Sequence, residues 1–226
     1  MDAQLNFIGN QPATASLGRQ SLPGDPGFKS SKSSRKSAFD AMIAGASSLP
    51  VGEKLDAVNR FFNEQIIYQT DEKAWGGKDY WATPSETLAK GAGDCEDFAI
   101  AKYYALQQLG VEQSKLRIVY VQSNQFPEPH MVLAYSEKPE SDPLILDNIE
   151  KLIAPNSSRT DLKTVYSFNE TGLYVSGKHA TVAGPDRLSK WVAVMNKVSN
   201  EAAQQIQASV PESKLVNYPP LNAFAL

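Results

Sequence analysis

Apolar residues change their period along this chain, and that change limits the possible fold more than any other feature. As far as Leu109 they recur at three- and four-residue spacing; from Leu116 they come in short runs bounded by Pro, Asn and Asp. The first regime predicts helices over residues 36–44 and 51–67, the latter carrying Leu55, Val58, Phe61, Phe62 and Ile66, with Pro50 between them. The stretch 71–93 holds Trp75, Gly76, Gly77, Trp81, Pro84, Gly91 and Gly93, which is turn chemistry, with a short helix at 85–89. Asp94 then opens a helix whose apolar stripe is Phe98, Ala101, Leu106 and Leu109 and which ends at Gly110. Strands are expected at 116–122, 130–135, 144–147, 164–168 and 172–175. A closing amphipathic helix over 187–208 should bury Leu188, Trp191, Val192, Met195, Val198, Ala202 and Ile206. Helices first and strands afterwards predict an α+β fold with helices packed on an antiparallel sheet.

Residues 1–36 are rich in Gly, Pro and Ser and end in a basic run from Lys29 to Lys36, so they read as a flexible arm; residues 37–226 read as one domain. With 226 residues and 42% hydrophobic content the chain can bury one good core. A net charge of -3 excludes the basic surplus that phosphate contacts demand, so no nucleic-acid partner is expected. No run of about 18 apolar residues is present, so the chain is not expected to span a membrane, and its first residues lack a signal-peptide pattern. One cysteine excludes an internal disulfide, and with only two histidines it excludes an ordinary structural zinc site.

Cys95 falls in the first turn of the helix that Asp94 opens, where unpaired backbone N–H groups favour a thiolate. An imidazole beside it would take the proton, and a carboxylate behind the ring would fix the tautomer. His130 begins one strand and Asp147 ends another, whereas His179 sits in a polar stretch near Gly177. Each has a plain alternative. Cys95 reads equally as a packed side chain, His130 as a hydrogen-bonded strand end and Asp147 as a turn carboxylate before Asn148. Asp94, Glu96 and Asp97 crowd negative charge around the thiol and raise its pKa unless something neutralises them. A calcium ion would do so; a capping box of Asp94 and Asp97 with a solvated Glu96 is the other reading.

The segment from Trp75 through Lys78, Asp79, Tyr80, Trp81, Pro84 and Glu86 to Leu88 is followed by Gly91-Ala92-Gly93-Asp94-Cys95-Glu96-Asp97-Phe98. Together with His130-Met131-Val132-Leu133, Leu146-Asp147-Asn148 and Val165 to Asn169, it resembles the bacterial transglutaminase-like cysteine proteinases, the LapG-type periplasmic proteases among them. The resemblance spans roughly residues 55–173. It implies a papain- or transglutaminase-like fold, with Cys95 as nucleophile, His130 as general base and acid and Asp147 orienting it. It also implies calcium held by Asp94, Glu96 and Asp97. The substrate it implies is a large surface adhesin, cut at a paired-alanine site in its N-terminal region so that biofilm disperses. The inhibitor it implies is the periplasmic domain of an inner-membrane cyclic-di-GMP receptor, and the address is the periplasm. Two other functions compete. A transglutaminase or amidase would use the same triad, and a calcium-stapled binding module would dock through Trp75 and Trp81 without catalysis.

Overall fold

The computed structural model describes residues 31–125, 127–175 and 181–209. Helices α1 (Lys32–Ala46), α2 (Val51–Gln65), α4 (Pro84–Lys90) and α5 (Cys95–Gln108) form one layer, joined by a single turn of helix, α3 (Asp71–Ala74). Two-residue strands β1 (Ile67–Tyr68) and β2 (Ala92–Gly93) pair in parallel, so the end of α2 lies against the entry to α5. The second layer is a six-stranded antiparallel sheet: β3 (Leu116–Ser123), β4 (Pro129–Tyr135), β5 (Leu144–Leu146), β6 (Ala154–Pro155), β7 (Leu162–Asn169) and β8 (Gly172–Val175). Its spatial order is β6-β5-β4-β3-β7-β8. Helix α6 (Ser189–Ser209) closes the molecule. No helix among the described residues is long and apolar enough to cross a membrane.

Strand alternation decides which side chains meet the helices. Leu116 and Ile118 on β3, Met131, Leu133 and Tyr135 on β4, Leu146 and Phe168 join the helix residues in the main core; Val119, Val121, Val132, Ala134 and Ile145 form a smaller cluster. Helix α5 runs through the middle. Phe98, Ala99, Ile100, Ala101, Tyr103, Ala105 and Leu106 are all buried, so it is covered on nearly every side, as a central helix must be.

The structure departs from the sequence reading at both ends of the fold. Helix α1 begins at Lys32, so residues 32–36 are folded rather than part of an arm; residues 1–30 and His179 lie outside the described residues. Arg35 is buried, and its guanidinium donates to the carbonyls of Leu88 (2.7 Å) and Ala89 (2.9 Å) in the last turn of α4. A basic residue in a polar run looked solvated, but it closes a helix end whose carbonyls lack intrahelical donors. In α6, Trp191 and Val194 are buried, while Ala202 is exposed and Ile206 is 66% exposed. The last two turns run past the core, so periodicity there outlives the packing surface. Trp191 anchors the helix edge-on to Tyr103 and Phe168 and donates to the carbonyl of Asn169 (3.2 Å).

Candidate active site

Cys95 is the first residue of α5, as the sequence placed it, and the sheet register explains what it faces. Leu133 pairs with Leu146 across β4 and β5. Asp147 follows directly after β5 and His130 lies near the start of β4, so the β4–β5 pairing brings the two residues close. The imidazole Nε2 and the carboxylate Oδ1 lie 2.8 Å apart, with His130 3% and Asp147 1% exposed. Met131, the next residue of the strand, offers its backbone N–H toward the thiol, whose side-chain hydrogen bond goes to Oε2 of Glu96. Helix α5 packs directly on β4. His130 and Asp147 are thus brought together, and Cys95 opens the helix packed on the same strand.

Asp147 is held at more points than the sequence suggested. Oδ1 also accepts the backbone N–H of Ile149 (3.0 Å), and Oδ2 accepts Nη2 of Arg159 (2.9 Å), a residue sequence reasoning passed over. Arg159 is fixed in turn by Asp161, through Nε (2.9 Å) and Nη2 (2.7 Å). Burial pushes the Asp147 carboxyl up, but the His130 hydrogen bond and charge, Ile149 and Arg159 outweigh it and bring it down to about 2. Its main-chain carbonyl accepts from Asn63 (2.8 Å) and Lys102 (3.0 Å).

The acidic residues around the thiol sort differently from the sequence reading. Asp97 does not join Asp94 and Glu96; its Oδ1 accepts the backbone N–H of Ala82 (2.8 Å) and its Oδ2 the indole N–H of Trp75 (3.3 Å). It ties the 71–93 loop to α5. In its place Asp71 comes in from α3, and Asp71, Asp94 and Glu96 each bring a carboxylate oxygen within 4.8 Å of the others. Asp94 occupies the N-cap position of α5 without capping it through its side chain, so the Asp94–Asp97 capping box is absent; a capping box forms at Thr83 and Glu86 of α4 instead. No spacing rule links Asp71 to residue 94; the β1–β2 pairing brings them together.

Trp81 is 9% exposed and stacks on Phe168, and Trp75 is half-buried against Tyr80. A binding module docking through both tryptophans has no surface here. The N–H groups of Tyr80 and Ala82 in this stretch donate to Asp71 (2.5 Å) and Asp97.

The acidic set fits a calcium ion by the character of its atoms. All three donors are carboxylates, and the Oδ1 atoms of Asp71 and Asp94 are buried with no hydrogen-bond partner. Burial, then the charge and hydrogen bonding of Glu96, push Asp94 up to about 9, which is the signature of anions packed without a counter-charge. Cys95 shows the same strain. Burial first, then Glu96, whose Oε2 lies 3.1 Å from the sulfur, push the thiol up, against the Met131 N–H. A cation on these oxygens would relieve both groups and restore the thiolate that the helix end favours.

Known proteins are similar to this chain over most of its length. The sequence model of the family described as bacterial transglutaminase-like cysteine proteinase matches residues 36–172. Among solved structures, EGTA-treated LapG of Legionella pneumophila is similar at 41% identity and a TM-score of 0.69, covering 75% of this chain and 91% of that one. Calcium-bound LapG of the same organism is similar at 41% identity and a TM-score of 0.69, covering 76% and 93%. The search of curated proteins returned no match.

Proposed function

Because this chain belongs to the bacterial transglutaminase-like cysteine proteinases, we propose that it is a calcium-dependent endopeptidase that cuts a large surface adhesin near its N-terminus. The observation that carries the reading is the buried His130–Asp147 hydrogen bond (2.8 Å), at the strand on which the helix opened by Cys95 packs.

In this mechanism Nδ1 of His130 takes the Cys95 proton, and the thiolate attacks a peptide carbonyl. His130 returns the proton to the leaving amine, and water, deprotonated by the same ring, clears the thioester. Asp147 keeps Nε2 protonated and stabilises the imidazolium; the Cys95 backbone N–H, at the start of α5, faces the developing oxyanion. Asp71, Asp94 and Glu96 would hold calcium, which supplies positive charge beside the thiol and ties α3 to α5. By the same reading the protein acts in the periplasm and frees its substrate from the cell surface. The periplasmic domain of a cyclic-di-GMP receptor restrains it.

The test is digestion of an adhesin N-terminal fragment containing a paired-alanine site, with the cut mapped by mass spectrometry and a labelled amine present. Cleavage between the alanines without amine incorporation is expected. Incorporation of the amine in place of cleavage would favour a transglutaminase, and an intact fragment would remove the adhesin as substrate.

A further inference from the structure

A buried ammonium at the centre of α5 stands outside this mechanism. Lys102 is 1% exposed, yet it bears an ammonium in the middle of the core helix. Its Nζ donates to Oδ1 of Asn59 (2.8 Å) and to the main-chain carbonyl of Asp147 (3.0 Å), and it lies 5.7 Å from the ring of Phe98. No carboxylate pairs with it directly. Burying a lysine without a carboxylate partner opposes folding, and its pKa falls to about 7 through burial, with the Asp147 charge opposing. A methionine of similar length would pack there without that cost.

The position of the contact gives it a purpose. Lys102 lies seven residues after Cys95 on the same helix, two turns along and on the same face. The bond goes to the carbonyl of Asp147, leaving both carboxylate oxygens to His130, Ile149 and Arg159. Asn63 of α2 reaches the same carbonyl at 2.8 Å. The helix that presents the nucleophile thus grips the residue that orients the base, across the helix–sheet boundary.

We propose that Lys102 is a positioning residue, pinning α5 to the backbone of Asp147 so that Cys95 and the His130–Asp147 pair keep one register. The inference rests on the triad reading above. Small displacements of reacting groups cost large factors in rate, so a lost pin is read in turnover rather than in substrate binding.

The experiment compares wild type, Lys102→Met and a control core variant at the C-cap of the same helix, Leu109→Ala. It measures kcat and KM on the adhesin fragment, the rate of Cys95 alkylation by iodoacetamide, and Tm. For Lys102→Met, kcat and the alkylation rate fall about tenfold, KM stays within a factor of about two, and Tm holds or rises. Leu109→Ala lowers Tm and leaves the alkylation rate near that of wild type. Unchanged kcat and alkylation in Lys102→Met, or losses no larger than its Tm loss explains by comparison with the control, overturn the proposal. Alkylation needs no substrate, so slowed alkylation alongside a fragment that wild type leaves uncut supports the pin while removing the adhesin reading. If Lys102→Met does not fold, Asn63→Ala, which strips the other donor from the same carbonyl, decides. Slowed alkylation at wild-type Tm supports the pin, and unchanged alkylation overturns it.

Discussion

Asp147 lies almost wholly out of water, where a carboxylate is costly to ionise, and its neighbours reverse that cost. Its folded pKa of about 2 lies below the ordinary aspartate value of 3.8, so the group stabilises the fold above about pH 4. That contribution, about 2 kcal/mol at neutral pH, is lost as pH falls from about 4 to about 2. Arg159→Met removes one neighbour and leaves Asp147 and Asp161 without the cation between them. The loss expected from breaking a buried ion pair is about 3 kcal/mol, with acid unfolding moved to higher pH; urea titrations at pH 7 and pH 4 measure both. The reading fails if the variant's midpoint matches wild type at both pH values. The places of Cys95 at a helix start, His130 near a strand start and Asp147 at a strand end were legible in the sequence, while their reading as a triad came from the family resemblance. Arg159 was not, since a guanidinium in a polar loop gives no sign of turning inward until the strands are placed.

At the scale of elements, the helices and main strands followed from hydrophobic period and from Pro and Gly punctuation, because those signals are local. The two-residue strands were invisible to it: β1 and β2 exist only because α2 and α5 lie side by side, and β6 because the sheet offers it an edge. The joint before α5 is packed closely enough to predict from. A Cβ on Gly93 would come within 2.5 Å of Oδ2 and 2.7 Å of Cβ of Asp97, the residue that holds Ala82 and Trp75. Gly93→Ala must therefore move Asp97, with an expected cost of about 2 kcal/mol as overpacking of a close contact and a loosened 71–93 loop. Tm and limited proteolysis between Lys73 and Lys90 check this, and a wild-type cleavage pattern would contradict it. Asp97 also marks where sequence reasoning stopped. Its neighbours Asp94 and Glu96 suggested one ligand set, but a helix sends residues 96 and 97 about 100° apart, and only the fold shows that Asp71 completes the cluster.

Over the whole molecule, the acidic cluster joins the loop that follows β1 to the helix that carries the thiol, so a cation held there would link stability to thiol chemistry. At free calcium one hundred times its Kd, binding to the folded state alone adds about 2.7 kcal/mol. Chelation should therefore lower Tm by several degrees, and Asp71→Asn should weaken the response to calcium. Identical melting curves with and without chelator would contradict this. The α+β class and the site's position at the junction of α5 with β4 were readable from the order of elements. The charge balance of the site was not, because it depends on which carboxylates the tertiary fold brings together. The most direct measurement is cleavage of the adhesin fragment by wild type in calcium, wild type in chelator, and Cys95→Ala in calcium, with folding of all three verified by Tm. The account predicts cutting in the first reaction alone. Cutting by folded Cys95→Ala would contradict it.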